Sequence, residues 1–226
     1  MPDQLPAAEW TRRDDLAELV AALGPGNARY VGGAVRDTLI GSGVHDVDLA
    51  TPLPPVEVIA RLDAAGIRSV PTGLRHGTVT AIRPDGNIEI TTLRRDVATD
   101  GRHAEVAFSS DWVEDAARRD FTINALYADP QTLAVFDYFG GLADLHLRRV
   151  RFIGDPAQRI REDHLRILRY FRFQARFGSQ PADPEAESAC ADLASTLKGL
   201  SRERIGWELQ NLLALDDPAP TVARMA

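Results

Sequence analysis

The pattern of apolar and polar positions divides the chain into a first part of mixed strands and helices and a second part of helices alone. In the first part, helices are predicted at 14–23, at about 34–40, from the prolines at 52, 54 and 55 to about 65, and from 111 onward; strands are predicted at 28–31, 46–50, 78–83, 88–94 and 132–137. Asp85-Gly86-Asn87 between two alternating strands is typical of a hairpin turn. Residues 95–110 lack apolar periodicity and predict a mobile loop.

Strand signals vanish after about residue 150, and helical periodicity covers 156–177, 184–197 and 202–214. A further helix is expected to begin near Pro218 and Pro220, so the chain is expected to be cut short. The pattern therefore predicts an α+β fold in which a mixed, largely antiparallel sheet is followed by an all-helical domain.

Composition narrows the class of protein. The chain has 226 residues, enough for one large domain or two small ones, and a net charge of −7. No apolar run has the length of a membrane span, and the N-terminus lacks a signal-peptide core. The single cysteine, Cys190, is compatible with a reducing cytoplasm, which is the predicted location.

Charge is unevenly distributed along the chain. Nine arginines lie between Arg148 and Arg176, against three acids. This surplus could form an electropositive surface for phosphates, or it could be a solvated helix face.

Asp46 and Asp48 are candidate metal ligands. Residues i and i+2 of a strand share a face, so these carboxylates lie side by side, with Val47 and Leu49 on the apolar side. Like charges at this distance repel, and a divalent cation would hold both ionised. An isolated Asp-x-Asp is more often a solvated turn or strand end, so its neighbours decide the interpretation.

Gly32-Gly33 lies upstream, directly after a strand and before a predicted helix. Such a turn lets backbone N–H groups approach a phosphate, although many glycine pairs serve only turns. A phosphate-binding turn beside metal-binding carboxylates favours phosphoryl or nucleotidyl transfer.

Two further sites fit that chemistry and have ordinary alternatives. Glu89 alternates with apolar residues on its strand, so it either joins the aspartates as a third catalytic carboxylate or faces solvent. Arg118 and Arg119 end a helical segment, where they could hold a triphosphate or simply complement the helix C-terminus.

The segment 162–173 could read a nucleobase. On one continuous helix, Asp163, Arg166 and Tyr170 share an edge, while Arg169, Arg172 and Arg176 share another. Cytosine and adenine both present an amino donor beside a ring-nitrogen acceptor, which one acid and one arginine can pair. The alternative is an ordinary surface salt bridge between Asp163 and Arg166.

Five motifs in one order resemble class II tRNA nucleotidyltransferases, the CCA-adding enzymes, and their relatives the bacterial poly(A) polymerases. The resemblance covers roughly residues 28–214. Its motifs are Gly-Gly-Ala-Val-Arg-Asp with Asp-Val-Asp-Leu-Ala-Thr, Arg-Arg-Asp-Phe-Thr-Ile-Asn-Ala, Gly-Gly-Leu-Ala-Asp-Leu, Glu-Asp-His-Leu-Arg-Ile-Leu-Arg, and Ser-Arg-Glu-Arg-Ile-Gly-Trp-Glu-Leu.

The resemblance implies a fold and a set of roles. The fold would be a polymerase-β-like nucleotidyltransferase head at 1–148 and a helical neck at 149–226, with the family's body and tail absent. Asp46 and Asp48 would bind two Mg²⁺ ions. The expected triphosphate contacts are Gly32, Gly33, Arg36 and Arg119; the expected base-reading residues are Asp163 and Arg166, assisted by Arg169 and Arg172.

The implied reaction is template-independent addition of C, C and A to the tRNA 3′ end from CTP and ATP, with release of pyrophosphate. Asp100-Gly-Arg-His103 resembles the family's flexible loop that switches between C and A addition. The alternatives are a poly(A) polymerase, a partial enzyme that adds only CC or only A, and a catalytically weak RNA-binding fragment.

Overall fold

The structure is a computed structural model that describes residues 4–99 and 104–226. The strands in this part of the chain are β1 Arg29–Val31, β2 Asp48–Thr51, β3 Ser69–Gly73, β4 Thr78–Ala81, β5 Ile88–Thr92, β6 Arg94–Thr99, β7 Ala104–Phe108, β8 Leu126–Ala128 and β9 Val135–Asp137. The α-helices are α1 Asp14–Leu23, α2 Gly33–Leu39, α3 Pro55–Ala64, α4 Trp112–Ala117, α5 Gly141–His146, α6 Pro156–Glu162, α7 Arg166–Phe177, α8 Pro184–Leu193, α9 Arg202–Leu213 and α10 Ala219–Met225.

Seven strands form one mixed sheet in the order β3-β4-β5-β2-β1-β8-β9. β2 and β5 run parallel, and the other neighbouring pairs in this sheet are antiparallel. The predicted mixed, largely antiparallel α+β fold is therefore confirmed. The register aligns one row across five strands: Glu89, Asp48, Val31, Tyr127 and Phe136.

Alternation along the strands sends one set of side chains into the main core. Tyr30 and Leu49 neighbour each other across β1 and β2, and both are buried. The helix α1 contributes Leu16, Leu19 and Leu23 at helical spacing to the same core. The aligned row that contains Glu89 and Asp48, which we call the acidic row, is left on the opposite face of the sheet, because successive strand residues point in opposite directions.

Aromatic side chains join the sheet to the helical part. Phe121 contacts Phe152 at a ring-centroid distance of 5.0 Å and Phe173 of α7 at 5.1 Å. Phe152 stacks on Tyr170 at 5.7 Å. Such packing fixes α7 beside the sheet. Among the described residues, no helix is both long and apolar enough to cross a membrane.

The predicted single helix over 156–177 is wrong, because α6 and α7 are separate helices. Asp163 has an extended backbone with φ −149° and ψ 107°, and its Oδ1 accepts a hydrogen bond from the Leu165 N–H at 3.1 Å. An aspartate that competes for nearby backbone donors in this way favours a break. Periodicity alone could not detect it, because the apolar spacing continues on both sides.

The predicted mobile loop at 95–110 is also wrong for the described residues of that range. β6 and β7 pair there as an antiparallel hairpin with an irregular register. Residues 100–103, which carry the resemblance to the family's flexible loop, lie outside the described residues. Strands β3 and β8 were not predicted, because β3 contains Pro71 and Gly73 and the three residues of β8 are all buried and show no alternation.

Candidate active site

Three carboxylates lie at one end of the acidic row, two of them on adjacent strands. Asp48 is the first residue of β2, and Glu89 is its register partner on the parallel strand β5. Asp46 lies two residues earlier and is exposed, while Val47 and Leu49 are buried as the alternation predicts. The strand begins at Asp48, two residues later than predicted.

The acids act on one another electrostatically. Burial, the neighbouring Glu89 and, to a smaller extent, Asp46 raise the pKa of Asp48 to about 6, although Arg119 opposes this shift. A carboxyl group with such a pKa carries a charge that its surroundings do not fully compensate. This site would therefore gain from a bound cation.

The donor set fits a hard divalent cation such as Mg²⁺, which takes carboxylate oxygens and retains several waters. Within the part of the chain that the structure describes, no group of three His, Cys, Asp or Glu side chains is arranged to hold a metal ion. Asp46 and Asp48 thus stay the predicted metal ligands. The role of Glu89 as a third catalytic carboxylate also stays a prediction.

The glycine pair begins α2 beside these acids. Gly32 has φ 67° and ψ −122°, a conformation that is essentially restricted to glycine, and α2 begins at Gly33. The first N–H groups of a helix have no intrahelical acceptor, so they can bind an anion. A Cβ on Gly32 would lie 3.7 Å from Arg119 Nη1, and a Cβ on Gly33 would lie 3.7 Å from Arg36 Nη2. Two guanidinium nitrogens therefore converge on this turn.

Arg36, an expected triphosphate contact, is enclosed by other side chains. It is buried, with Nε donating to Asp37 at 2.7 Å and Nη1 donating to Asn124 at 2.5 Å. Its guanidinium lies 4.2 Å from the centre of the Phe177 ring. Burial lowers the pKa of Arg36, and Asp37 opposes that shift. Only one edge of the guanidinium is thus directed at the glycine turn.

Arg119 occupies the space between the acidic row and the glycine turn. Its Nε donates to the Tyr127 hydroxyl at 3.1 Å, and its Nη2 donates to Asp115 Oδ2 at 3.0 Å. Burial acts to lower the pKa of Arg119, but Tyr127 and Asp115 outweigh it and raise that pKa. The arginine therefore keeps its charge beside Asp48.

The predicted base-reading pair is divided between two elements. Asp163 directly follows α6 and receives two hydrogen bonds from Arg204 Nη2, at 2.9 and 3.1 Å. Arg166 begins α7 and pairs with Glu162 at 2.8 Å, while its Nη2 donates to the Arg118 carbonyl oxygen at 3.2 Å. The alternative of an ion pair between Asp163 and Arg166 is wrong, because each has another partner.

Arg169 and Arg172 also have carboxylate partners. Arg169 donates to Asp120 at 2.5 and 2.8 Å and lies 3.5 Å from Glu208. Arg172 donates to Glu208 at 2.6 Å, and Glu208 is 1 % exposed. Arg169 together with Asn124 lowers the pKa of Asp120 despite its burial.

The wider arginine surplus is largely neutralised in the same manner. Seven of the nine arginines form ion pairs with acids: Arg149, Arg151, Arg159, Arg166, Arg169, Arg172 and Arg176. These contacts do not support an open electropositive surface. The sequence count missed this because the partners of several arginines lie far away in the chain.

Residues that orient the site were missed by sequence reasoning. They are Asp115, Asp120, Asn124, Tyr127, Glu162, Arg204 and Glu208. A signal existed for five of them, because Asp120, Asn124, Glu162, Arg204 and Glu208 belong to the quoted motifs. No local pattern distinguishes Tyr127 from an ordinary core residue.

Comparison with known protein families identifies the first part of the chain. Residues 28–151 match the family described as poly A polymerase head domain. The chain belongs to this family. The match includes the acidic row, the glycine turn and Arg119, whereas the helices from α6 onward lie beyond it.

Relatives and solved structures extend the match into the helical part. The chain is 50% identical over 191 residues to CCA tRNA nucleotidyltransferase 1, mitochondrial, of Mus musculus, covering 83% of this chain and 44% of the relative. It superposes on the Bacillus stearothermophilus CCA-adding enzyme in complex with CTP with a TM-score of 0.83 and 34% identity, covering 94% of this chain and 51% of that one. A tRNA nucleotidyltransferase complexed with a primer tRNA and an incoming ATP analog gives a TM-score of 0.68 and 29% identity, covering 84% and 54%. The chain therefore spans about half the length of the relatives it matches.

Proposed function

We propose that this chain carries the catalytic and nucleotide-selecting part of an enzyme that adds C, C and A to the tRNA 3′ end. The substrates are CTP and ATP, pyrophosphate is released, and no nucleic-acid template is used. The main observation behind this proposal is that Arg36 Nη2 and Arg119 Nη1 converge on Gly32-Gly33, beside Asp48, whose charge its surroundings do not fully compensate. The relatives that carry the CCA-adding name, and the solved complex with CTP, support it.

Asp46 and Asp48 would hold Mg²⁺, and two ions are expected. Bound there, Mg²⁺ supplies a lowered pKa for the attacking 3′-hydroxyl and charge stabilisation for the departing pyrophosphate. Glu89 contributes a neighbouring negative charge that keeps the site attractive to cations.

Gly32, Gly33, Arg36 and Arg119 would hold the triphosphate. The turn contributes backbone N–H groups at the N-terminus of α2, and each arginine contributes the nitrogen that faces the turn. Because the remaining guanidinium nitrogens are held by protein groups, the two donors keep a fixed direction. Fixed donors stabilise developing charge without reorganisation.

Asp163 and Arg166 would read the base. Asp163 would accept from the amino group of cytosine or adenine, either beside Arg204 or in its place. Arg166 would donate to the ring nitrogen. Arg169 and Arg172 would assist through Asp120 and Glu208, which tie α7 to the segment between α4 and β8 and to α9.

Each of the two parts of the chain would have its own role. Residues 1–148 would form the catalytic head, and residues 149–226 the helical neck that selects the nucleotide and begins the RNA-binding region. The tRNA 3′ end is the proposed macromolecular partner, and the cytoplasm the proposed location.

A poly(A) polymerase is the second candidate, favoured by the description of the matched family. A decisive assay incubates the chain with tRNA that lacks its 3′-terminal CCA and with labelled CTP, ATP or both. We expect two residues added from CTP alone and three from the mixture. A ladder of A residues from ATP alone would replace the proposal by poly(A) synthesis, and no incorporation would contradict both.

A further inference from the structure

Tyr127 and Asp115 form a buried pair behind the proposed triphosphate site. Tyr127 lies in the same register row as Asp48, with Val31 between them. Its hydroxyl donates to Asp115 Oδ2 at 2.7 Å and accepts from Arg119 Nε at 3.1 Å. Tyr127 is fully buried and Asp115 is 1 % exposed, so neither side chain is a surface contact.

Together the two residues restrain the guanidinium of Arg119 at two of its three nitrogens. Nε is held by Tyr127, and Nη2 by Asp115 at 3.0 Å. Among the described residues Nη1 takes no hydrogen-bond partner, and it lies 3.7 Å from where a Cβ of Gly32 would be. A planar guanidinium held at two nitrogens cannot rotate, so the direction of the third is fixed.

The charge states suit this arrangement. Burial acts to raise the pKa of Asp115, but Arg119 and Arg118 outweigh it and lower that pKa to about 2. Arg118 occupies the other carboxylate oxygen, with contacts of 2.8 and 2.9 Å to Oδ1. Burial raises the pKa of Tyr127 above its ordinary value. The tyrosine therefore keeps the proton it donates, and Asp115 keeps the charge that receives it.

We propose that Tyr127 and Asp115 are positioning residues that aim Nη1 of Arg119 at the triphosphate. The inference rests on the proposed function, in which Arg119 contacts the phosphates. Tyr127 touches no substrate in this account and acts through the arginine alone. A structural role in the core would instead affect folding without any dependence on Arg119.

The test is a double-mutant cycle on ligand binding, using Tyr127→Phe, Arg119→Ala and the double variant. Dissociation constants for CTP and for inorganic tripolyphosphate are measured by calorimetry with Mg²⁺ and without tRNA. We expect Tyr127→Phe to weaken both ligands by about 5- to 10-fold, the size of the net contribution of one ordinary hydrogen bond. In the Arg119→Ala background, Tyr127→Phe should cause no further loss.

Tyr138→Phe is the matched control. The Tyr138 hydroxyl accepts from Arg29 at 2.8 Å, and its ring packs edge-on against Tyr127 at 6.1 Å. It removes a tyrosine hydroxyl close by without touching Arg119, so both affinities should stay unchanged. Asp115→Asn is a second variant, expected to weaken CTP in the same Arg119-dependent way if it folds.

The outcomes separate the inference from the function on which it rests. The positioning role would be overturned if Tyr127→Phe left both affinities unaltered, or if it caused equal losses with and without Arg119. In either case, binding of CTP by the wild-type chain would still support the proposed triphosphate site. Absence of CTP binding by the wild-type chain would overturn the proposed function and this inference with it. A drop in melting temperature alone, with unchanged affinities, would assign Tyr127 to the core.

Discussion

The acidic end of the sheet and the arginine-rich helices differ in how their charges are satisfied. At the sheet, Asp46, Asp48 and Glu89 repel one another, and the pKa of Asp48 is raised to about 6. In the helices, most of the arginines between Arg148 and Arg176 are paired with acids. The acids there have partners too: Glu208 binds Arg172 at 2.6 Å, and Asp163 binds Arg204 at 2.9 Å. The first arrangement costs stability until a cation arrives, and the second contributes to the fold.

This difference distinguishes residues of a ligand-binding site from residues that hold the structure together. A cluster of like charges that the chain itself does not neutralise points to an external ligand of opposite charge. A paired charge indicates a residue that holds elements together. By this measure the sheet is where chemistry would occur, and Arg169 and Arg172 keep α7 in place. Removing an acid should therefore have opposite effects on stability in the two regions.

The largest expected effect is on activity at the sheet. Asp48→Ala should lower CTP incorporation into tRNA by about 10³-fold or more, because it removes a ligand of the ion that activates the reaction. Asp46→Ala should behave alike. Asp85→Ala, in the exposed turn between β4 and β5, is the control and should keep full activity. Substantial incorporation by Asp48→Ala in a single-turnover assay would refute the metal mechanism.

Removal of a paired acid in the helices should instead damage stability. Glu208→Gln removes the buried negative charge, 1 % exposed, that pairs with Arg172 and Arg169. We expect this to lower the free energy of unfolding by about 3 kcal/mol. Urea denaturation measures it. Glu203→Gln, on the exposed face of the same helix, should change stability by less than about 0.5 kcal/mol. Equal effects of the two variants would show that the Glu208 ion pairs contribute nothing.

At the sheet, the pH dependence of stability should show that the charge of Asp48 destabilises the fold. The pKa of Asp48 is raised in the fold from 3.8 to about 6, so the native state binds this proton more tightly than the unfolded chain. Without divalent cations, its contribution to stability therefore falls as pH rises from about 4 to 6, by about 2 kcal/mol. Asp48→Asn should remove this dependence and be more stable than wild type at pH 7. A parallel pH profile of the two proteins would argue against the uncompensated charge.

The smallest predicted effect concerns base selection. Asp163→Ala should reduce the preference for CTP and ATP over UTP and GTP by about tenfold, because the acceptor for the amino group is lost. Arg204→Ala removes the ion-pair partner and retains the acceptor, so it should preserve selectivity. Relative kcat/KM values for the four nucleotides decide between them. A loss of selectivity confined to Arg204→Ala would move the base-reading role away from Asp163.

Periodic elements could be predicted from the sequence, and elements fixed by distant contacts could not. The bounds of α1 match the prediction residue for residue, and the β4–β5 hairpin forms around the predicted turn. The break at Asp163 was missed because the apolar spacing continues on both sides of it; the Asp163 side chain bonds locally to the Leu165 N–H and also to Arg204, 41 residues away.

The same limit applies to the site. Asp46, Asp48 and the glycine turn stand out locally, because their spacing along a strand and before a helix carries the chemistry. Tyr127 and Asp115 do not, because their importance lies in how they hold Arg119. Arg169 and Asp120 are separated by 49 residues, and tertiary contacts such as the packing of Phe121 against Phe173 bring those segments together.

Cation binding tests the central claim most directly. Mn²⁺, as a paramagnetic substitute for Mg²⁺, can be titrated into the wild-type chain, Asp48→Asn and Asp85→Asn in the presence of CTP, with bound metal followed by electron paramagnetic resonance. We predict that Asp48→Asn weakens Mn²⁺ binding by at least about tenfold, whereas Asp85→Asn leaves it unchanged. Equal Mn²⁺ affinity in all three proteins would contradict the assignment of the acidic row as the metal site.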